Sequence, residues 1–313
     1  MKLSLLNVTG QYARAALLSL SGSILLLLSG AAAFAQTTVY DAGKTLIAYE
    51  AARQANPDLP VSAIIGQFSY GYYLDDGTFQ TYPLSWHTLL ENGAPGWTGN
   101  EYLSPLALVN PSPTDNLWFE WSAVLRPLEM MVHSGGPSPE SPDRNVVRWT
   151  APSGGTALVT ATWAPRSWAQ IVVNTEIMLN GVSEYSGDSS TLPTTADQCK
   201  NGGWQSYGVF KNQGDCVSLV ATGTGSELDD LTNPGRPVSI TLQVAAGDLI
   251  DFVVSVGPMG WESSSTGFYG QVVLLPTTAD QCKNGGWQSY GVFKNQGDCV
   301  SFVATGGKNP PAK

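Results

Sequence analysis

Four cysteines carry the most reactive side chains of this 313-residue chain, and they fall into two pairs with the same surroundings. Cys199 and Cys216 lie in residues 192–223 (LPTTADQCKNGGWQSYGVFKNQGDCVSLVATG). That segment returns at residues 275–306 with Cys282 and Cys299, changed only at Leu219 against Phe302. Sixteen residues separate the cysteines of each copy, a spacing unlike the paired short knuckles of a structural zinc site. Oxidation to a disulfide is the favoured chemistry. Of three connectivities, pairing within each copy (Cys199–Cys216 and Cys282–Cys299) is the simplest. Each bridge closes a loop of about 18 residues, worth roughly 3 kcal/mol, which matters to a unit too small to own a core.

Catalytic chemistry finds little to build on. There are two histidines, His87 and His133, and neither a Gly-x-Ser-x-Gly elbow nor a His-Glu-x-x-His pair. Glu91, Glu101, Asp115 and Glu120 are candidates for a glycoside-cleaving pair, yet no spacing places two of them within the roughly 5–9 Å that reaction needs. No catalytic residue, metal ligand or cofactor is assigned. The aromatics offer more: 10 Trp and 12 Tyr in a chain with 13% charged residues. Sugar rings pack their C–H faces on such rings, while Asn, Asp and Gln serve the hydroxyls. Tyr70, Tyr72, Tyr82 and Trp86, with Tyr73 beside them, form the candidate platform, and Trp97 and Trp261 are loop candidates. Core packing is the competing use of the same rings.

The elements that must position these residues read mostly as short strands. Gly reaches 34 and Pro 20, which suits turns and leaves too few helix formers for a bundle. Asp41 can cap a helix that Asn56-Pro57 ends. Phe68, Tyr70 and Tyr72 alternate with Ser69, Gly71 and Tyr73 before a turn at Asp75-Asp76-Gly77. Residues 83–142 show little pattern, with a strand expected over 117–125. Further on, Ala157, Val159, Ala161 and Trp163 alternate with Thr156, Leu158, Thr160 and Thr162. Residues 171–179 lead into Asn180-Gly181, a strong hairpin turn. Alternation returns at 238–244, 252–256 and 268–274. One buried and one wet face per strand implies antiparallel sheets packed face to face. Within each copy, 204–210 and 215–221 read as a hairpin around Lys211-Asn212-Gln213-Gly214.

Lys2 and Arg14, an apolar run over 15–30 and Ala33-Phe34-Ala35 read as an export signal cleaved after residue 35, with no membrane insertion afterwards. Cleavage removes two positive charges and no negative ones, taking the net charge from −10 to −12. Such an acidic chain argues against nucleic acid and anionic membranes, and export permits oxidised cysteines.

Val147-Arg148-Trp149-Thr150-Ala151-Pro152 and Gly247-Asp248-Leu249-Ile250-Asp251-Phe252-Val253-Val254 resemble motif strands of secreted bacterial jelly-roll modules similar to carbohydrate-binding modules. The resemblance covers roughly 140–191 and 236–274. The repeat resembles a short Cys-containing segment at the C-terminus of secreted bacterial proteins. The resemblance of the strands implies an all-β, antiparallel jelly-roll-like β-sandwich, to which the sequence adds two small Cys-stapled β-hairpin units. The expected organisation is a signal peptide (1–35), a sandwich (36–191 plus 224–274), an inserted repeat (192–223), a C-terminal repeat (275–306) and a disordered tail (307–313). The expected role is secreted, non-catalytic binding of a polysaccharide or cell-surface glycan. The alternatives are a structural subunit that self-associates through the repeats and a polysaccharide hydrolase.

Overall fold

The computed structural model describes residues 38–85, 94–99, 105–119, 123–135, 144–166, 173–189, 193, 195–204, 212–222, 235–257, 265–309 and 311. The first half runs β1 (Val39–Asp41), α1 (Ala42–Ala55), β2 (Ile64–Ile65), β3 (Phe68–Tyr73), β4 (Phe79–Thr81), β5 (Leu84–Ser85), β6 (Gly96–Thr98), β7 (Leu106–Val109), β8 (Leu117–Phe119), β9 (Ala123–Leu125) and β10 (Met130–His133). The second half continues β11 (Arg144–Thr150), β12 (Gly155–Pro165), β13 (Asn174–Leu179), β14 (Val182–Asp188), α2 (Gln213–Thr222), β15 (Arg236–Val244), β16 (Leu249–Ser255), β17 (Thr266–Leu274) and α3 (Gln296–Ala304).

The strands form an antiparallel two-sheet sandwich. One sheet has the order β15-β12-β17-β10-β7-β6-β5, with β1 also on β17; the other has the order β14-β13-β16-β11-β3-β2, with β4 also on β3. Their inner faces share one core, in which Trp149, Trp163, Tyr70, Phe252 and Phe268 are fully buried. The inward phase is the one the alternation marks: Ala157, Val159, Ala161 and Trp163 on β12 face Ile250, Phe252 and Val254 on β16 within that core. Asn180 and Gly181 take φ of 52° and 82°, as a primed hairpin turn requires, and Asp41 caps α1 by accepting from Lys44 N at 2.9 Å.

The sheet is continuous across the inserted repeat. β13 pairs with β16 along its length, and β12 with β15, so strands before and after residues 192–223 share both sheets. β14 and β15 are the end strands of the two sheets on the same flank, and the insertion lies in the connection between them.

The two motif strands are neighbours. β11 pairs with β16 so that Arg148 stands opposite Asp251, and Arg148 Nε and Nη2 donate to the two carboxylate oxygens at 2.7 and 2.9 Å. The motifs therefore encode a bidentate ion pair whose carboxylate is buried.

Both disulfides pair within their own copy, Cys199 with Cys216 and Cys282 with Cys299, each with Cα atoms 5.7 Å apart. The hairpin expectation for the units is corrected: they are helical. In the C-terminal copy a 3-10 turn covers Ala279–Cys282, another covers Gly286–Tyr290, and α3 follows. The inserted copy has the same first turn, at Ala196–Cys199, and α2 in the matching place. Of the residues read as a turn, Asn212, Gln213 and Gly214 are a helix start. Asn295 caps α3 by accepting from Asp298 N at 2.9 Å, as Asn212 accepts from Asp215 N in the inserted copy. Asn serves caps as readily as turns. Of the tail expected to be disordered (307–313), residues 307–309 are instead tied back, with Gly307 N donating to Phe302 O at 2.9 Å and Asn309 Nδ2 to Ser301 Oγ at 2.9 Å. The strand expected over 117–125 is two short strands, β8 and β9, paired as a hairpin.

Candidate functional site

The ring platform read from the sequence is interior. Tyr70, Tyr72, Tyr82 and Trp97 are all buried in the main core. Tyr70 and Tyr72 share the inward phase of β3 with Phe68, so burial of one entails burial of all. Two of the polar ends are satisfied there: Tyr70 OH donates to Ala42 O at 2.7 Å, and Tyr82 OH accepts from Asn145 Nδ2 at 2.7 Å. Trp97 packs against Tyr49 of α1, with centroids 6.3 Å apart. These four are corrected from ligand contacts to core. Trp86 and Trp261 lie outside the described residues, as do the signal segment, His87, Glu91, Glu101 and Glu120.

Tyr73 points outward but is also covered. Its hydroxyl donates to Asp251 and accepts from Arg148 at 3.1 Å, and burial first, then the Asp251 bond, pushes its pKa up to about 12. Arg148 lies 3.9 Å above the Phe79 ring. The outer face of the β11–β16 sheet is sealed by its own side chains.

The other sheet leaves a surface open. Along β17 the outward residues are Gly267, Tyr269, Gln271 and Val273; on β12 their partners are Ala164, Thr162, Thr160 and Leu158. The two ends of this ladder are occupied. Val273 and Leu158, with Val39 of β1, carry the C-terminal unit, whose Tyr290, Phe293 and Phe302 belong to the same apolar cluster. Gly267 lies beneath the Glu129–Arg166 pair, fully buried at 2.7 Å. A Cβ there would stand 2.4 Å from Glu129 Oε1, so glycine lets the pair lie flat on the sheet.

Between these ends is a depression of about 190 Å³, with Tyr269, Gln271, Thr160 and Thr162 on its floor and Asp41 and Leu128 on its rim. Tyr269 is 38% exposed and fixed, its hydroxyl donating to Pro127 O at 3.1 Å. Burial, then the Glu129 carboxylate, pushes that hydroxyl up to about 12, so it stays a neutral donor. Among the described residues no hydrogen bond engages the side chains of Thr160, Thr162 or Gln271. They are partly buried in a polar hollow with their donors and acceptors unused. Leu128 holds φ of 60°, a strained conformation for a branched residue that costs roughly 1–3 kcal/mol and concentrates at ligand sites. The arrangement can stack one ring on Tyr269 and hydrogen-bond its hydroxyls through two alcohols, an amide and a carboxylate.

The sequence reading missed Tyr269. On β17 both phases contain apolar residues, so alternation alone does not say which faces out. The usable signal lay on β12, where Thr156, Thr160 and Thr162 mark the outward phase. Trp118 on β8, 64% exposed, was likewise passed over.

Asp41 is engaged by Lys44, and three carboxylates elsewhere are engaged too: Glu129 by Arg166, Asp251 by Arg148, and Asp115 in a turn with Ser112. His133 is pushed down to about 4 by burial. No group of three or more His, Cys, Asp or Glu among the described residues could hold a metal ion, and no helix among them is long and apolar enough to cross a membrane.

No family model and no curated protein matches the chain. Solved structures overlap it loosely. The CBM51-2 and INT domains of Clostridium perfringens ZmpB, solved with GlcNAc, are 9% identical over 56% of this chain and 31% of that one, with a TM-score of 0.27. A family 35 carbohydrate-binding module from Clostridium thermocellum is 12% identical over 66% and 98%, with a TM-score of 0.22. Rabbit GITRL is 13% identical over 46% and 93%, with a TM-score of 0.21. This chain thus spans about a third of the first and nearly all of the other two. Overlaps this loose span unrelated proteins, and the fold is read from the strand pairing itself.

Proposed function

We propose that the chain is an exported, non-catalytic glycan-binding module that holds sugar on the outer face of the β12–β17 sheet, with Tyr269 as the stacking ring. The observation that carries this reading is the depression itself: a tethered, partly exposed ring among unengaged hydroxyl and amide groups. Two disulfides suit an oxidising compartment. The acidic balance adds nothing that would attract nucleic acid. Glu129, Asp251 and Glu176 are each paired with an arginine, and a clasped carboxylate is poorly placed as a general acid.

The test is affinity electrophoresis of the full chain through gels of a β-glucan, a galactan, a mannan and chitin, with Tyr269→Ala beside it. Wild type should be retarded by at least one polymer, and the variant should lose that retardation while its thermal midpoint moves by only a few degrees. Undiminished retardation of the variant would remove the groove from consideration.

A structural role for the repeats has less behind it. The C-terminal unit already uses Tyr290, Phe293 and Phe302 on its own sheet, so that apolar face is closed to neighbouring chains.

A further inference from the structure

The depression at Tyr269 is closed on three sides. Along β17 one way, Val273 lies beneath the docked C-terminal unit, two residues beyond Gln271, a span of about 7 Å. The other way, Gly267 lies beneath the Glu129–Arg166 pair. Across the strands, toward α1, the turn through Leu128 forms a wall: its carbonyl would stand 3.2 Å from a Cβ on Gly43, leaving no channel. That wall is rigid. Leu128 N donates to Ser112 O at 3.1 Å, and Arg126 N to Glu129 Oε2 at 2.9 Å.

Among the described residues the fourth side is open. Thr160 and Thr162 pair with Ser239 and Pro237 of β15, both exposed on the end strand of the sheet. The floor therefore runs out over Ser239 and Pro237 to the end strand of the sheet. The volume is about 190 Å³. It falls short of the roughly 300–1,000 Å³ of pockets that enclose larger ligands. One sugar ring fits, and a chain cannot pass through.

From this shape we infer that the depression takes the terminal residue of a sugar chain, the rest of the polymer leaving over β15. The inference rests on the glycan-binding reading and adds the mode of recognition. An internal residue carries a substituent at both ends, and one of them would meet the Leu128 wall or one of the covered ends. A terminal residue carries one, directed at the open side.

The experiment uses the full chain and whichever of the four polymers retards it. That polymer is cut by partial acid hydrolysis into fractions of decreasing mean length, which are compared at equal mass in solution as competitors. End recognition predicts that competition strengthens in proportion to the number of chain ends, and that the free monosaccharide (glucose, galactose, mannose or N-acetylglucosamine) competes as well. Equal competition by all fractions, or competition that grows with chain length and fails for the monosaccharide, overturns end recognition and leaves glycan binding standing. If no polymer retards wild type, or Tyr269→Ala binds as well as wild type, both readings fall together.

Discussion

The outer faces of the two sheets start from the same alternating pattern and end differently. On the β11–β16 sheet, Val146 and Val253 point outward, stand opposite each other and are nonetheless buried. Tyr73, Phe79, Met178 and the two arginines lie flat over them: Arg144 stands 4.8 Å from the Tyr73 ring and Arg148 clasps Asp251. Long side chains with charged heads can roof apolar surface without a further layer of backbone. On the β12–β17 sheet the outward residues at the same level are Thr160, Thr162, Tyr269 and Gln271, three of them too short or too polar to roof anything. Two separate pieces of chain cover its ends, and the middle stays open. Alternation tells which residues leave the core; length and polarity decide whether they then close the face.

Breaking the roof should have the largest effect. Arg148→Ala leaves the buried Asp251 carboxylate unpaired, and a loss of about 3–5 kcal/mol is expected in urea unfolding. A loss below about 1 kcal/mol would mean that the pair behaves as a surface contact and that the face is not sealed by it. His133 tests the covered part of the other sheet. Its folded pKa is about 4 against 6.5 unfolded, so the unfolded chain binds the extra proton first. Stability is therefore full above pH 6.5 and falls as pH drops toward 4, by about 3 kcal/mol. His133→Gln should flatten that slope in melts from pH 7 to 4; an unchanged slope would assign it to other groups.

Leu158→Asp places a charge under the C-terminal unit. A loss of about 2 kcal/mol is expected, the value of one buried aliphatic, with limited proteolysis releasing the unit while the sandwich survives. Resistance equal to wild type would show that the unit holds without that row. Tyr269→Ala should cost only about 1 kcal/mol, one hydrogen bond and part of a ring, in contrast to roughly 3–5 kcal/mol for a buried aromatic such as Tyr70. Differential scanning calorimetry of the two variants separates an exposed ring from a core ring. The smallest effect is expected where the two copies differ. We propose that the inserted copy is a separate unit, so that replacing residues 192–223 by a short Gly/Ser linker changes stability by less than about 1 kcal/mol. Loss of cooperative unfolding would instead make it part of the core.

Several elements are legible in the residues alone. Asp41 and Asn56-Pro57 bracket α1; Asn180-Gly181 turns β13 into β14; the alternation over 157–163 and 238–244 gives β12 and β15 with the inward phase correct. Others are not. Within α3, Cys299, Phe302 and Val303 suit a helix as well as a strand, and nine residues are too few to separate the two periods. The Asn295 cap decides it. At Tyr70, Tyr72, Tyr82 and Trp97 the residue type is consistent with both core and platform, and only the opposing sheet shows which.

The sequence by itself determined the all-β class, the inward phase of the long strands and the local chemistry of the repeats. Each depends on neighbours a few residues apart: turn residues, alternation, and cysteines in one short unit. Only the tertiary structure decided which outward face stays open. That depends on what lands there from far along the chain: the C-terminal unit on Leu158, Val273 and Val39, Arg166 against Glu129, and the Leu128 turn against Gly43. Tyr269 stays partly exposed because the Leu128 turn reaches its hydroxyl, at Pro127 O, and leaves the ring uncovered; separations of that length leave no periodic trace in the sequence.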